Sequence, residues 1–237
     1  MRTSGVAILQ DNSAHGEDNY LVRTIGEQAF LDAIMDGVTR RGGKQAAQSV
    51  AEALSAAMLT SAGDLVAVLD QVNLQLYERG GGSFLLTTVS VALCLDGKLS
   101  VAGVGDSSAF LIRSSTFQQL CSPKRGVFLG AGAQLQGLYC TEMTIEPGDR
   151  LLLATDGITD NVRSSELVDV VRHSASPDEA AGRLKTIMVS RSTGDRLPAP
   201  SGRRFRSDDW TALVRFFSAP RQEAPSKNHS GRDIEVR

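Results

Sequence analysis

The spacing of apolar residues changes character at one point in the first third of the chain, the Asp36-Gly37 pair. Before this pair, short apolar runs bounded by polar and glycine residues predict three short strands, Val6–Gln10, Tyr20–Thr24 and Gln28–Ile34. After it, apolar residues recur every three or four positions, as the buried face of a helix requires. Two helices are therefore predicted, with apolar faces formed by Ala47, Val50, Leu54 and Met58 and by Leu65, Val68, Leu69, Val72 and Leu76.

The middle of the chain contains short apolar runs separated by turn sequences, which predicts a β-meander. Asp96-Gly97 is a hairpin signal between two of these runs, and Pro147-Gly148-Asp149 is a second turn. A loop-rich stretch that ends near Gly137 interrupts the series. The predicted strands are Phe84–Leu95, Leu99–Val104, Ala109–Ile112, Leu138–Ile145 and Arg150–Ala154.

Two further helices and a last strand are predicted in the final third of the chain. Both helices follow Asp160, and the second begins with a capping box formed by Ser176 and Glu179. A basic loop follows at Arg191–Ser207, and Thr211–Phe217 predicts the closing strand. Strands in two blocks, with helix pairs between and after them, predict a layered α+β fold.

The composition indicates one globular domain without an extended basic surface. Of the 237 residues, 41% are hydrophobic and 22% charged, and the formal charge is −2, which argues against binding of nucleic acid. We expect a domain over residues 1–217 and a disordered polar tail over residues 218–237. Neither a membrane helix nor a signal peptide is evident, so a cytoplasmic protein without membrane contact is expected. The three cysteines predict neither a disulfide framework nor a zinc site.

Four acidic motifs follow one another along the chain, each beside a predicted strand. Carboxylates that converge in a fold are costly unless a positive charge lies between them. The divalent cations Mg²⁺ and Mn²⁺ prefer oxygen ligands, and two of them can share a bridging water. Alone, each motif predicts only a turn or a polar strand end; together they predict a metal-dependent hydrolase. The motifs are Glu17-Asp18, Asp36-Gly37, Asp156-Gly157 and Asp208-Asp209-Trp210-Thr211.

With Gly105-Asp106-Ser107 and Thr87-Thr88 added, this ordered series resembles the metal-dependent protein phosphatases of type 2C, the PPM family, in a short bacterial form. The resemblance runs from about Val6 to Phe217. It implies a four-layer α-β-β-α sandwich in which helix pairs flank two mainly antiparallel sheets. It also implies a monomer that hydrolyses phosphoserine and phosphothreonine in the substrates of a Ser/Thr kinase, in bacterial signalling.

The resemblance also implies roles for individual residues. Asp36 would bridge two cations, Mg²⁺ or Mn²⁺, with the Gly37 carbonyl oxygen completing one site. Glu17 would reach the second cation through water, and Asp18 would orient waters around it. A hydroxide between the cations would attack phosphorus. The implied catalytic carboxylates are Asp36, Asp156 and Asp208, the last two as ligands of the first cation, while Asp106, together with Asp156, would hold a third cation.

The chain departs from the family pattern at several positions. Ser13 stands where many members carry an arginine that binds the substrate phosphate, and Val38 stands where eukaryotic members often have a histidine. His15 is interpreted as a surface residue. Trp210 is expected to pack at the sheet edge. Arg203, Arg204 and Arg206 could approach the metal site, although a solvated basic loop is the favoured interpretation.

Three functions remain open on these grounds, and the protein phosphatase is favoured. Ser13, Val38 and the short segment between Asp106 and Asp156 are also compatible with a weakly catalytic module that binds phosphoproteins as a sensor. The short chain and its Asp-Asp-x-Thr motif also resemble phosphatases that act on anti-sigma-factor antagonists. A two-metal phosphoesterase that acts on a small molecule is the third possibility, and it would require a closed polar pocket.

Overall fold

The structure, a computed structural model, describes residues 2–121, 124–193 and 205–218, with the side chains of residues 2–4 excluded. Ten strands and five helices lie in this part of the chain. The strands are β1 (Arg2–Asp11), β2 (Asn19–Gly26), β3 (Ala29–Met35), β4 (Val89–Leu95), β5 (Lys98–Val104), β6 (Ser108–Ile112), β7 (Phe117–Gln119), β8 (Tyr139–Thr144), β9 (Arg150–Ala154) and β10 (Trp210–Ser218). The helices are α1 (Gly43–Ala56), α2 (Ala62–Gly80), α3 (Asp156–Thr159), α4 (Ser164–Arg172) and α5 (Pro177–Ser192).

The strands form two five-stranded sheets in which all pairs of neighbours are antiparallel. The strand order is β1-β10-β9-β6-β7 in the first sheet and β2-β3-β4-β5-β8 in the second. Helices α4 and α5 pack on the first sheet, and α1 and α2 pack on the second. This confirms the predicted α+β sandwich of four layers.

Three apolar clusters hold the layers together. The cluster between the two sheets includes Ile34, Leu99 and Leu153. Each outer cluster joins one sheet to its helix pair, with Leu54 and Leu69 on the side of α1 and α2. Burial on both faces explains why β3, β4 and β9 are almost continuously apolar rather than alternating.

An ion pair crosses the space between the sheets. The Arg215 guanidinium donates to both carboxylate oxygens of Asp32, at 2.5 Å and 2.7 Å, and both residues are buried. The same guanidinium lies 4.1 Å from the centre of the Phe30 ring. The stacked sheets exclude water from both charged groups, and the bidentate hydrogen bonds compensate each charge with the other.

Several predicted elements need correction. The residues before Val89 are not part of a strand, because Leu85 has a φ of 57° and Thr87 makes only isolated bridges to Gly37 and Leu129. Met58 lies beyond the end of α1 and is 87% exposed, so it is not part of a buried helix face. The short elements β7 and α3 were not predicted.

Two predictions concern residues outside the described part of the chain. These are the disordered tail predicted over residues 218–237, except for Ser218, which is the last residue of β10 and not part of a tail, and the segment of the basic loop that carries Arg203 and Arg204. Within the described residues, no helix combines the length and the apolar character needed to cross a membrane.

Candidate metal centre

Carboxylates from three strand ends meet at one edge of the sandwich. Asp36 follows β3, Asp106 follows β5, and Asp156 follows β9 at the start of α3. One carboxylate oxygen of each lies within 4.8 Å of the others. Asp208, two residues before β10, lines the same pocket. Residues that are far apart in sequence are thus brought within the reach of a shared cation.

The carboxylates lie in an open pocket of about 350 Å³. Its wall is mixed, with apolar side chains such as Val38 and Phe128 beside the acidic residues. Two arginines also line it. The full lining is Asp36, Gly37, Val38, Thr39, Thr88, Asp106, Arg125, Phe128, Asp156, Arg206 and Asp208.

Two threonines and a serine fix the backbone at Asp36. Thr87 Oγ1 donates to the Asp36 carbonyl oxygen at 2.9 Å, and the Thr88 N–H donates to the same oxygen at 2.8 Å. The Asp36 N–H donates to Thr88 Oγ1 at 3.3 Å, and this hydroxyl also pairs with Ser107 Oγ at 2.9 Å. The Thr87-Thr88 and Gly-Asp-Ser motifs therefore connect the loops that carry Asp36 and Asp106, a role that sequence reasoning did not assign.

The glycines of the two Asp-Gly motifs permit close packing rather than a turn. A Cβ on Gly37 would lie 2.4 Å from the carbonyl carbon of Gly43, and one on Gly157 would lie 1.9 Å from the Asp209 carbonyl oxygen. Neither glycine is among those with a positive φ. Any side chain at these positions would push apart the segments that carry the acidic residues.

Asp18 lies buried beside the pocket. Its Oδ2 accepts hydrogen bonds from Thr211 Oγ1 at 2.8 Å and from Thr155 Oγ1 at 3.1 Å. Its Oδ1 is buried and has no hydrogen-bond partner among the described residues. Burial, reinforced by repulsion from Asp209 and Asp156, outweighs these hydrogen bonds and raises the pKa of Asp18 to about 7.

Glu17 lies in a loop that Asp209 organises. The Asp209 carboxylate accepts hydrogen bonds from the backbone N–H groups of Ala14, His15 and Glu17 at 3.1, 2.8 and 2.8 Å. Glu17 Oε2 is buried without a partner among the described residues. Glu17 does not line the pocket that Asp36 and Asp156 share, but its carbonyl oxygen would lie only 2.8 Å from a Cβ on Gly37, so its loop packs against the Asp36-Gly37 segment.

The clustered carboxylates repel one another. The pKa of Asp36 lies well above its usual range because of burial first, and then because of the neighbouring charges of Asp18, Asp156, Asp208 and Asp106. Burial and Asp106 raise the pKa of Asp156 to about 6. A cation among these groups would stabilise their ionised forms.

Arg125 and Arg206 flank the carboxylates on the solvent side. Arg206 Nη1 lies 3.4 Å from Asp156 Oδ2, and its Nη2 lies 3.8 Å from Asp208 Oδ2. Arg125 Nε lies 3.7 Å from Asp106 Oδ2, and both arginines also contact Asp160. The interpretation of Arg206 as a purely solvated loop residue is therefore wrong.

The structure also shows where the other residues lie at which the chain departs from the type 2C pattern. Ser13 is exposed and its N–H donates to Asp11, while Val38 lines the pocket. His15 is half exposed, with Nε2 3.8 Å from Asp208 Oδ1. Trp210 is buried in the apolar cluster between the first sheet and its helices, at the start of the interior strand β10, so its expected place at the sheet edge is wrong.

The site fits a hard divalent cation. Its candidate ligands are all oxygen atoms, which Mg²⁺ and Mn²⁺ prefer over the nitrogen and sulfur donors that other metals select. Glu17 Oε2 and Asp18 Oδ1, both in or beside the predicted ligand set, are buried oxygens without a partner among the described residues. Such orphaned acceptors are expected where an ion or its waters belong.

Comparison with known proteins is consistent with this geometry. A family profile described as Stage II sporulation protein E (SpoIIE) matches residues 42–215. The chain is also 30% identical over 124 residues to a protein of Arabidopsis thaliana named probable protein phosphatase 2C 62. That match covers 47% of the chain but only 17% of the plant protein, so the chain spans a small part of this relative.

Solved structures of bacterial phosphatases share the fold. Serine/threonine phosphatase Stp1 from Staphylococcus aureus superimposes with a TM-score of 0.76 at 18% identity, covering 92% of the chain and 98% of Stp1. The catalytic domain of the serine threonine protein phosphatase PstP, in complex with two manganese ions, gives a TM-score of 0.73 at 20% identity, covering 92% of the chain and 99% of that domain.

Proposed function

The chain belongs to the SpoIIE family, a PP2C-like family of metal-dependent protein phosphatases, and we propose that it hydrolyses phosphoserine and phosphothreonine in proteins. The observation that carries the proposal is the meeting of Asp36, Asp106 and Asp156 within 4.8 Å. We assign the phosphatase domain to residues 1–217, because the matched segment, the candidate ligands and every strand residue except Ser218 fall within it.

Two divalent cations, Mg²⁺ or Mn²⁺, are the proposed cofactors. The manganese ions in the PstP structure and the all-oxygen donor set of this chain support that choice. When bound, such a pair would supply an activated water and neutralise charge on the phosphoryl group. We assign Asp36 as the ligand shared by both cations, with the Gly37 carbonyl beside it, and Asp156 and Asp208 as ligands of one cation. Asp106 is the proposed ligand of a third.

The protein residues would position the ligands and shape the entrance. Thr87, Thr88 and Ser107 hold the Asp36 and Asp106 loops in register through the hydrogen bonds given above. Asp209 fixes the loop of Glu17, which we assign to the second cation through water. Asp18, held by Thr155 and Thr211, would orient those waters through its remaining oxygen.

The entrance is suited to a side chain presented by a protein. The pocket is about 350 Å³ in volume and opens to solvent, so it can admit a phosphorylated side chain presented by an extended protein segment. Val38 has no proton to donate, so the proposed reaction leaves protonation of the departing oxygen to water. The proposed substrates are proteins phosphorylated by a Ser/Thr kinase in bacterial signalling. We propose that this chain acts on them as a monomer.

Hydrolysis of a phosphothreonine peptide across a Mn²⁺ titration, with an EDTA control, tests the proposal. We expect turnover that depends on Mn²⁺ and that EDTA abolishes. Competition by phosphorylated metabolites at lower concentration than the peptide would instead favour a small-molecule phosphoesterase. Tight Mn²⁺ binding and peptide binding without turnover would contradict the phosphatase and favour a sensor.

A further inference from the structure

Two arginines at the pocket mouth are held by one carboxylate. Asp160 Oδ1 accepts a hydrogen bond from Arg125 Nη2, and Asp160 Oδ2 accepts one from Arg206 Nη1. The arginines come from different loops, one after β7 and one before β10. A single side chain thus sets the separation of two guanidinium groups that the sequence places 81 positions apart.

Asp160 is itself rigidly placed. It follows α3, its N–H donates to the Asp156 carbonyl oxygen at 2.7 Å, and its side chain is only 21% exposed. The two arginines are more open to solvent, at 63% and 51%. Each guanidinium is therefore anchored next to the acidic cluster, and each arginine also lines the pocket.

Among the described residues that line the pocket, only Arg125 and Arg206 carry positive charge. Each guanidinium has five N–H donors in a planar fork that matches phosphoryl oxygens, and the contacts with Asp160, Asp156, Asp208 and Asp106 use only part of them. Ser13, by contrast, carries no charge and does not line the pocket.

We propose that Arg125 and Arg206 form the phosphoryl-binding pair of this protein, positioned by Asp160. The inference rests on the proposed function, because it names the residues that would hold the phosphoryl group of the same substrate. Binding by two planar forks also fixes the orientation of that group, which a lone lysine could not do.

The test measures binding of inorganic phosphate to the Mn²⁺-loaded full chain by calorimetry, together with peptide kinetics. The variants are Arg125→Gln, Arg206→Gln and their double variant, with Arg79→Gln on the exposed side of α2 as the matched control. We expect the phosphate dissociation constant to rise at least about tenfold in each single variant and further in the double variant. The Mn²⁺ affinity of every variant should stay within about twofold of that of the wild-type chain, and so should the phosphate dissociation constant of the Arg79→Gln control.

Two conservative variants separate the roles. Arg206→Lys keeps the charge without the fork and should restore only part of the affinity. Asp160→Asn should raise KM for the peptide and the phosphate inhibition constant, with kcat nearly unchanged, because it acts through the arginines.

The outcomes distinguish this inference from the proposed function. Phosphate binding that is lost in the double variant, in a chain that does not hydrolyse the peptide, would support the arginine pair while the phosphatase proposal fails. Hydrolysis by a double variant that binds phosphate as tightly as the wild-type chain would overturn the pair and leave the phosphatase standing. Weaker Mn²⁺ binding with unchanged phosphate binding would also overturn it, because the arginines would then act only as counter-ions.

Discussion

Asp209 accepts a hydrogen bond of 2.8 Å from the backbone N–H of Glu17, although 192 positions separate the two residues. The first and last acidic motifs are therefore one structural unit, built where β1 ends beside the start of β10. Asp209 is buried, at 4% exposure, so its charge is satisfied by backbone N–H groups rather than by water.

Replacing Asp209 by alanine should loosen the Glu17 loop. We expect Asp209→Ala to lower the free energy of unfolding by on the order of 2–4 kcal/mol and to weaken Mn²⁺ binding several-fold, because buried hydrogen bonds to a charged group are lost. Urea denaturation and calorimetry measure the two effects. Asp209→Asn keeps an acceptor and should be milder. Unchanged Mn²⁺ affinity in the alanine variant would show that the loop does not serve the metal site.

Asn73 should control the loop that carries Arg125 and Phe128. This buried amide donates to the Gly132 carbonyl at 3.0 Å and accepts from the Gly130 N–H at 2.9 Å. Asn73→Ala should destabilise the protein by about 1–3 kcal/mol and raise KM for a phosphopeptide more than it lowers kcat. Gln75→Ala, at an exposed position of the same helix, is the control. An equal loss of kcat with constant KM would contradict the prediction.

The buried pair of Asp32 and Arg215 should matter for stability and not for chemistry. Asp32→Asn leaves the guanidinium without its charged partner and should cost about 3–5 kcal/mol in urea denaturation. The double variant Asp32→Leu with Arg215→Met should recover much of this loss, since both charges are then removed. The dependence of phosphopeptide turnover on Mn²⁺, measured at low temperature, should stay the same as in the wild-type chain. A single variant as stable as the wild-type chain would contradict the account.

Without metal, the protein should be less stable at alkaline than at mildly acidic pH. The pKa values of Asp18 and Asp156 are raised to about 7 and about 6, mainly by burial, whereas both groups titrate near 4 when unfolded. Between these values the folded state binds more protons than the unfolded state, so the free energy of unfolding falls as pH rises.

Thermal unfolding in EDTA measures this effect. The midpoint should be higher at about pH 5 than at about pH 8, and Mn²⁺ should remove much of the difference because it stabilises the ionised carboxylates. Asp18→Asn should flatten the pH dependence. A midpoint that rises with pH in EDTA would contradict the raised pKa values.

Helices α1, α2, α4 and α5 and most strands were predictable because their apolar spacing is decided locally. The first part of the predicted strand Phe84–Leu95, before Val89, was wrong because the positive φ of Leu85 and the hydrogen bonds of Thr87 and Thr88 to Asp36 depend on tertiary contacts. Apolar and β-branched residues alone cannot distinguish such a segment from a strand.

The candidate ligands could be named from motifs, whereas their support could not. Neither the Asp209 contacts nor the anchoring of Arg125 and Arg206 by Asp160 has a local signal, because the partners are far apart in sequence. The separation of four positions between Asp156 and Asp160, about one helical turn, was the one sequence signal that these two side chains could lie close together. Only the structure shows the short helix α3, which begins at Asp156 and ends just before Asp160.

Turnover of a phosphothreonine peptide by Asp36→Asn, compared with Asp106→Ala and the wild-type chain over a Mn²⁺ titration, tests the central claim most directly. Asp36 lies among four neighbouring carboxylates, so its loss should abolish turnover at every Mn²⁺ concentration. Asp106→Ala should lower turnover mainly at low Mn²⁺. An Asp36→Asn variant as active as the wild-type chain would contradict a catalytic metal centre at this site.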